Sequence, residues 1–172
     1  MALIQIAALG YGLWSVASAR PVVLVFEVDR LFVLTANEVQ MELLGQAPEA
    51  LNQLSWAGVA RVGLREATSP QEYLSSVELS IQGITQAMRP NWWRLYDGEV
   101  KSAILKKAKP LITLKEKRPL QADELQRAVR KTGRSAESLY FLPLTSSKEM
   151  GWIALLDASG EIVGYAPVDG FD

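Results

Sequence analysis

The stretch ALIQIAALGYGLWSVASARPVVLVFEVDRLFVL, residues 2–34, decides how this chain is read. Its first half, Ala2 to Ala19, carries no charge. That run lies at the short end of the roughly 17–25 residues a helix needs to cross a bilayer. Tyr11 and Trp14 lie in its later half, and Arg20 closes it, a pattern that suits an interfacial anchor. Three readings compete. A secretory signal would carry a basic region before the apolar run, and there is none. A buried core helix would suit the shortness of the run. A membrane helix is the reading adopted, with Ala8 and Gly12, four residues apart, letting a second helix approach closely.

Arg20-Pro21 stops the helix, because Pro has no amide hydrogen to continue it and restrains the residue before it. Residues 22–34, VVLVFEVDRLFVL, are β-branched and aromatic. They read as one long strand or as two joined near Asp29-Arg30. Leu24, Phe26 and Val28 share one face, and Val23, Val25, Glu27 and Asp29 the other.

Outward from this element the pattern is α+β. Residues 36–54 read as short helices broken by Gly45 and Pro48, and 56–64 as a strand. Ser69-Pro70-Gln71-Glu72 is a capping box with Pro at the first helical position. The helix it opens has Tyr73, Leu74, Val77, Ile81 and Ile84 on one stripe, read as core. An aromatic loop, PNWWRLYD (90–97), ends at Asp97, which caps a helix running to about Ala108. A further helix spans Gln121 to Thr132, with Gly133 as its stop. Tyr140 to Leu144 reads as a strand whose Pro143 suits an edge. Residues 151–156 and 161–168 flank Asp157-Ala158-Ser159-Gly160 as a hairpin. The expected fold is an apolar transmembrane helix (1–20) followed by a soluble α+β domain (21–172) with a mixed or antiparallel sheet and packed helices.

Composition closes off several functions. The chain has 172 residues, 18 Lys+Arg against 19 Asp+Glu, and neither Cys nor His. Near-balanced charge removes the basic excess that nucleic acid requires. Without His or Cys there is no Ser-His or Cys-His nucleophile and no His/Cys zinc site. No cofactor, metal site or catalytic residue is expected.

Two clusters remain as partner-binding candidates. Glu27 and Asp29 alternate on one strand, so both carboxylates would point the same way, for acid/base work, for a cation, or into a salt bridge with Arg20 or Arg30. Trp92, Trp93 and Tyr96 have the residue types of interface anchors, or of core-closing aromatics. The Lys-rich stretch from Lys101 to Arg118 would face solvent, anionic headgroups or an acidic partner.

Two stretches taken together, LIQIAALGYGLWSVASARPVVLVFEVDRLFV (3–33) and YFLPL with GWIALLDASGEIVG (140–144 and 151–164), resemble the TfpX/TfpZ-type family of type IV pilin accessory proteins. The resemblance implies that the apolar run is the last of several membrane helices, the earlier ones lying upstream of this sequence or lost from a shortened relative. It implies an extracytoplasmic domain after ARPVVLVFEVDR, at the bacterial inner membrane. It also implies pilin as the partner, helped into the fibre by a chaperone-like or modulating factor. Two alternatives stay open: an envelope binding domain unrelated to pilin, and a carboxylate- or Lys-based modifying enzyme.

Overall fold

The computed structural model describes residues 2–171. Its first element, α1 (Ala2–Ser18), has 17 residues. At 1.5 Å per residue it is about 26 Å long, short of a hydrocarbon core of about 30 Å. Among the described residues no helix is long and apolar enough to cross a membrane. This corrects the transmembrane helix expected over residues 1–20. Nor is α1 a buried core helix: Ile6, Leu9, Tyr11 and Val16 are exposed, and Trp14 is 64% exposed.

The run after Pro21 folds as a hairpin, β1 (Pro21–Glu27) and β2 (Arg30–Thr35), paired antiparallel with Glu27 opposite Arg30. The hairpin is the centre of an eight-stranded mixed sheet. On one side β1 pairs parallel with β3 (Ala60–Leu64), which pairs antiparallel with β4 (Trp93–Leu95). On the other, β2 pairs parallel with β6 (Tyr140–Ser146). A two-residue β5 (Lys109–Pro110) also pairs with β6. Then β7 (Trp152–Leu156) and β8 (Ile162–Ala166) follow antiparallel. The order is β4-β3-β1-β2-β6-β7-β8. Val22 to Val25 are buried without interruption because both faces of β1 are covered, the usual cause of an unbroken apolar strand.

Side chains alternate across the sheet and build two layers. Leu24, Leu31, Leu142, Ala154 and Leu156 meet Val100 and Ile104 of α3 (Gly98–Lys107). The other face is covered in two halves. Over β1, β2 and β3 lie the 3-10 turns of residues 36–51, with Val39, Leu44 and Leu51 on Val23, Val25 and Val62. Over β6 to β8 lie α4 (Leu111–Lys117) and α5 (Ala122–Thr132), through Leu111, Leu114, Leu125 and Ala128.

Two other expectations change. Pro143 does not mark an edge, because β6 is interior to the sheet. On one flank β5 covers Tyr140 and Phe141, and β2 takes over at Leu144. Pro143 falls in the gap between those pairings, where a missing amide hydrogen costs least. The stripe of α2 (Pro70–Ile81) is not core either: Tyr73, Leu74 and Val77 are exposed and Ile81 is 82% exposed. The helix docks through Ser76, its buried residue.

Candidate functional site

The chain between β1 and β2 is only Val28 and Asp29. Asp29 N donates to Glu27 O at 2.7 Å, closing a three-residue turn around Val28 at φ 56°. A β-branched side chain clashes with its own backbone at positive φ, so this tip is strained, by an order of 1–3 kcal/mol. Val28 projects from it, 77% exposed.

The turn gives the two carboxylates different surroundings, although both border one groove beside Arg30. Asp29 lies in the turn and accepts from Arg30 Nε at 2.8 Å. That bond, more than the charge of the same guanidinium, holds it below the usual carboxylate range. Glu27 ends β1, half-buried, and burial pushes its carboxyl up against the opposing charge of Arg30. One carboxylate is a satisfied ion pair, and the other is a desolvated group beside a second groove.

That groove, about 660 Å³, is lined by Glu27, Gly63, Arg65, Arg94, Glu99 and Val100 among others. It opens where β1 and β3, a parallel pair, both end at their carboxyl termini. Gly63 is required there: a Cβ would stand 2.5 Å from Val100 Cγ2, so α3 can approach β3 only over a glycine. The arginines of the groove are already engaged. Arg94 donates to Asp97 at 2.9 Å and to Glu99 at 2.7 Å. Asp97 in turn caps α3, accepting from Val100 N at 3.0 Å.

Trp92 and Trp93 lie beneath this region. Trp92 is 2% exposed, with Arg65 and Arg89 over its ring at 4.5 and 5.1 Å. A guanidinium over an indole is held by the ring's negative face. Trp93 is buried, and its indole N–H donates to Ala87 O at 2.8 Å. Both tryptophans are built into the scaffold, and neither presents a ring to solvent. Tyr96 is partly buried. Its hydroxyl donates to Gly160 O at 3.0 Å, and burial pushes its pKa up to about 12. Nearby, Glu161 accepts from Arg61 at 3.1 Å and pairs with Lys101. The aromatic segment therefore clamps α3 to the β7–β8 turn.

The polar residues that sequence reading missed centre on Arg65. It donates to Glu72 at 2.6 and 3.2 Å and to Asn91 O at 2.9 Å. Ser69 Oγ caps α2 as expected, accepting from Glu72 N at 3.1 Å. The Glu72 side chain instead takes Thr68 N and Thr68 Oγ1, at 2.6 and 2.8 Å, and Arg65. The capping signal at residues 69–72 was the only local clue to this network. Arg89 is buried with neutral partners, donating to Thr85 O at 3.3 Å and to Ser76 Oγ, and burial lowers its pKa.

The Arg65 hydrogen bond first, then those from Thr68, lower the Glu72 pKa from an ordinary 4.5 to about 2. A depressed carboxylate stabilises the fold above its unfolded pKa and loses that contribution as pH falls through the folded one. The urea midpoint is therefore expected to drop between about pH 4.5 and 2 in the native chain. Glu72→Gln is expected to flatten that acid limb, and an unchanged pH profile in the variant would refute the assignment.

On α1, Ala8, Tyr11, Gly12 and Trp14 are exposed, and Gly12 has no neighbour within 4 Å of an added Cβ. The Tyr11 and Trp14 rings lie 6.0 Å apart, centroid to centroid. Among the described residues nothing packs on this small-residue face.

Compared with known proteins, the chain is a relative, along nearly its whole length, of the fimbrial assembly proteins. It is 32% identical over 170 residues to the fimbrial assembly protein of serogroup I of Dichelobacter nodosus. It is 31% identical over 170 residues to that of serogroup E1. Each match takes in 98% of the chain and 66% of the relative, so the chain spans just under two thirds of these relatives' length. No family model matches the chain, and no solved structure does.

Proposed function

We propose that this chain acts in the biogenesis of type IV fimbriae, as a binding factor that handles the fimbrial subunit, pilin, and catalyses no reaction. The observation that carries this reading is the relationship to fimbrial assembly proteins over 98% of the chain. The resemblance of ARPVVLVFEVDR and GWIALLDASGEIVG to the TfpX/TfpZ-type pilin accessory family supports it. So does the use made of the polar side chains. Arg65 with Glu72, Arg94 with Asp97 and Glu99, and Lys101 and Arg61 with Glu161 hold elements of the fold together. Groups consumed this way position a scaffold and leave little poised for proton transfer. In this reading the sheet domain works on the periplasmic side of the inner membrane and keeps pilin competent for incorporation.

Deleting the gene in a piliated host tests the reading. Surface fimbriae are expected to fall severalfold, with pilin either retained in the envelope or degraded. Unchanged surface fimbriae together with unchanged pilin levels sink it.

A further inference from the structure

The sheet has two ends, and they are finished differently. At one end β4 is three residues long and carries Arg94, ion-paired to Asp97 and Glu99. Short length and charge are the usual guards of an exposed edge. At the other end β8 reads Ile162-Val163-Gly164-Tyr165-Ala166, with no charge and no Pro in it; its guard is a bulge at Val163, which leaves Gly164 to Ala166 in regular register with β7. Its inner side pairs with β7. Among the described residues nothing hydrogen-bonds to the backbone of its outer side. α5 packs over one face of β8: Thr132 Cγ2 lies 3.1 Å from where a Cβ on Gly164 would stand.

A groove of about 400 Å³ runs where α5 meets this end of the sheet, lined by Glu124, Arg127, Lys131, Trp152, Tyr165 and Pro167. Trp152 is 39% and Tyr165 44% exposed. Trp, Tyr and Arg are the residues that most often anchor an interface. Arg127 is paired with Glu124 at 2.8 Å, which leaves the groove with the positive charge of Lys131.

We propose that the outer edge of β8 takes up an extended segment of the fimbrial subunit as an added strand, a proposal that rests on the assembly reading above. The free amide and carbonyl groups of the edge select an extended backbone. Tyr165 and Trp152 receive its apolar or aromatic side chains, and Lys131 selects an acidic one. The segment is about five residues long, the length of β8 itself.

A photoreactive phenylalanine analogue placed at position 165, in the full chain in piliated cells, tests the surface. Positions 95 on β4 and 74 on α2 serve as controls. A pilin adduct is expected from 165 and not from 95 or 74. Hydrogen exchange on the purified full chain with purified pilin reads the strand itself: β8 amides are expected to slow at least tenfold on binding. Tyr165→Asp is expected to weaken pilin binding at least tenfold with its urea midpoint unchanged, and Tyr165→Phe to retain it. Pilin adducts from 74 or 95 alone, with β8 exchange unchanged, overturn the edge proposal and leave the assembly reading standing. No pilin adduct from any position, with normal fimbriae in the deletion strain, removes both.

Discussion

Trp92→Ala is expected to be among the most destabilising single substitutions in this chain, by about 3–5 kcal/mol for loss of a buried Trp. The ring is almost fully buried and carries a guanidinium at 4.5 Å and another at 5.1 Å. Removing it leaves a cavity and also strips Arg89 of the ring that offsets its burial. Among the described residues Arg89 has no carboxylate in contact; its guanidinium donates to Ser76 Oγ and Thr85 O beside the indole. A buried charge left with fewer partners adds to the cavity term. The measurement is the urea midpoint at constant m-value. Trp92→Phe, which keeps an aromatic face, is expected to recover part of the loss. An alanine variant within about 0.5 kcal/mol of the native chain would show that the stack contributes no more than an ordinary surface change.

Ile104→Ala is expected to cost about 2–5 kcal/mol, the range for a buried Ile cut back to Ala. Ile104 is fully buried under the centre of the sheet, against the layer formed by Leu24, Leu31, Leu142 and Leu156. These residues come from four strands, β1, β2, β6 and β7, so Ile104 belongs to a cluster that joins the hairpin to the C-terminal strands. Ile104→Val, one methylene smaller, is expected to cost about 0.5–1.5 kcal/mol. A matched loss for Val and Ala would mean that the Cδ1 methyl, missing from both variants, sets the contact and the branched stem does not. The Ala variant is also expected to loosen the β7–β8 turn, since Lys101 of α3 pairs there with Glu161. Faster amide exchange at residues 157–161 is the check.

Periodicity in the sequence told which residues share a face, but not which way the face turns. Tyr73, Leu74, Val77 and Ile81 do line one side of α2, and that side faces solvent. The helix is held instead by Ser76, which accepts from Gln86 at 2.9 Å and from Arg89. Those partners lie 10 and 13 residues on, beyond any local pattern. Composition likewise marked Trp92 and Trp93 as large aromatics without saying that both lie inside. For the Glu27/Asp29 pair, one of the uses that alternation left open is present, the ion pair of Asp29 with Arg30. Alternation holds only while the strand continues, and the chain reverses at Val28, a residue that gives no turn signal. The apolar run before Pro21 was legible as a helix, but its 17 described helical residues fall short of a span.

By itself the sequence determined the β-branched run after Pro21, the Ser69 and Asp97 caps, the Asp157–Gly160 turn and the exclusion of His- and Cys-based chemistry. All of these are set by one residue and its near neighbours. Only the tertiary structure decided that the run folds as a central hairpin and that Pro143 sits in an interior strand. It also decided that Arg65, Glu72, Arg89 and Trp92 form one network, and that the sheet ends on β8, an edge strand without charge or Pro. Each depends on strands and helices distant along the chain meeting in one register, and register is fixed by the packing of the whole core rather than by any local stretch.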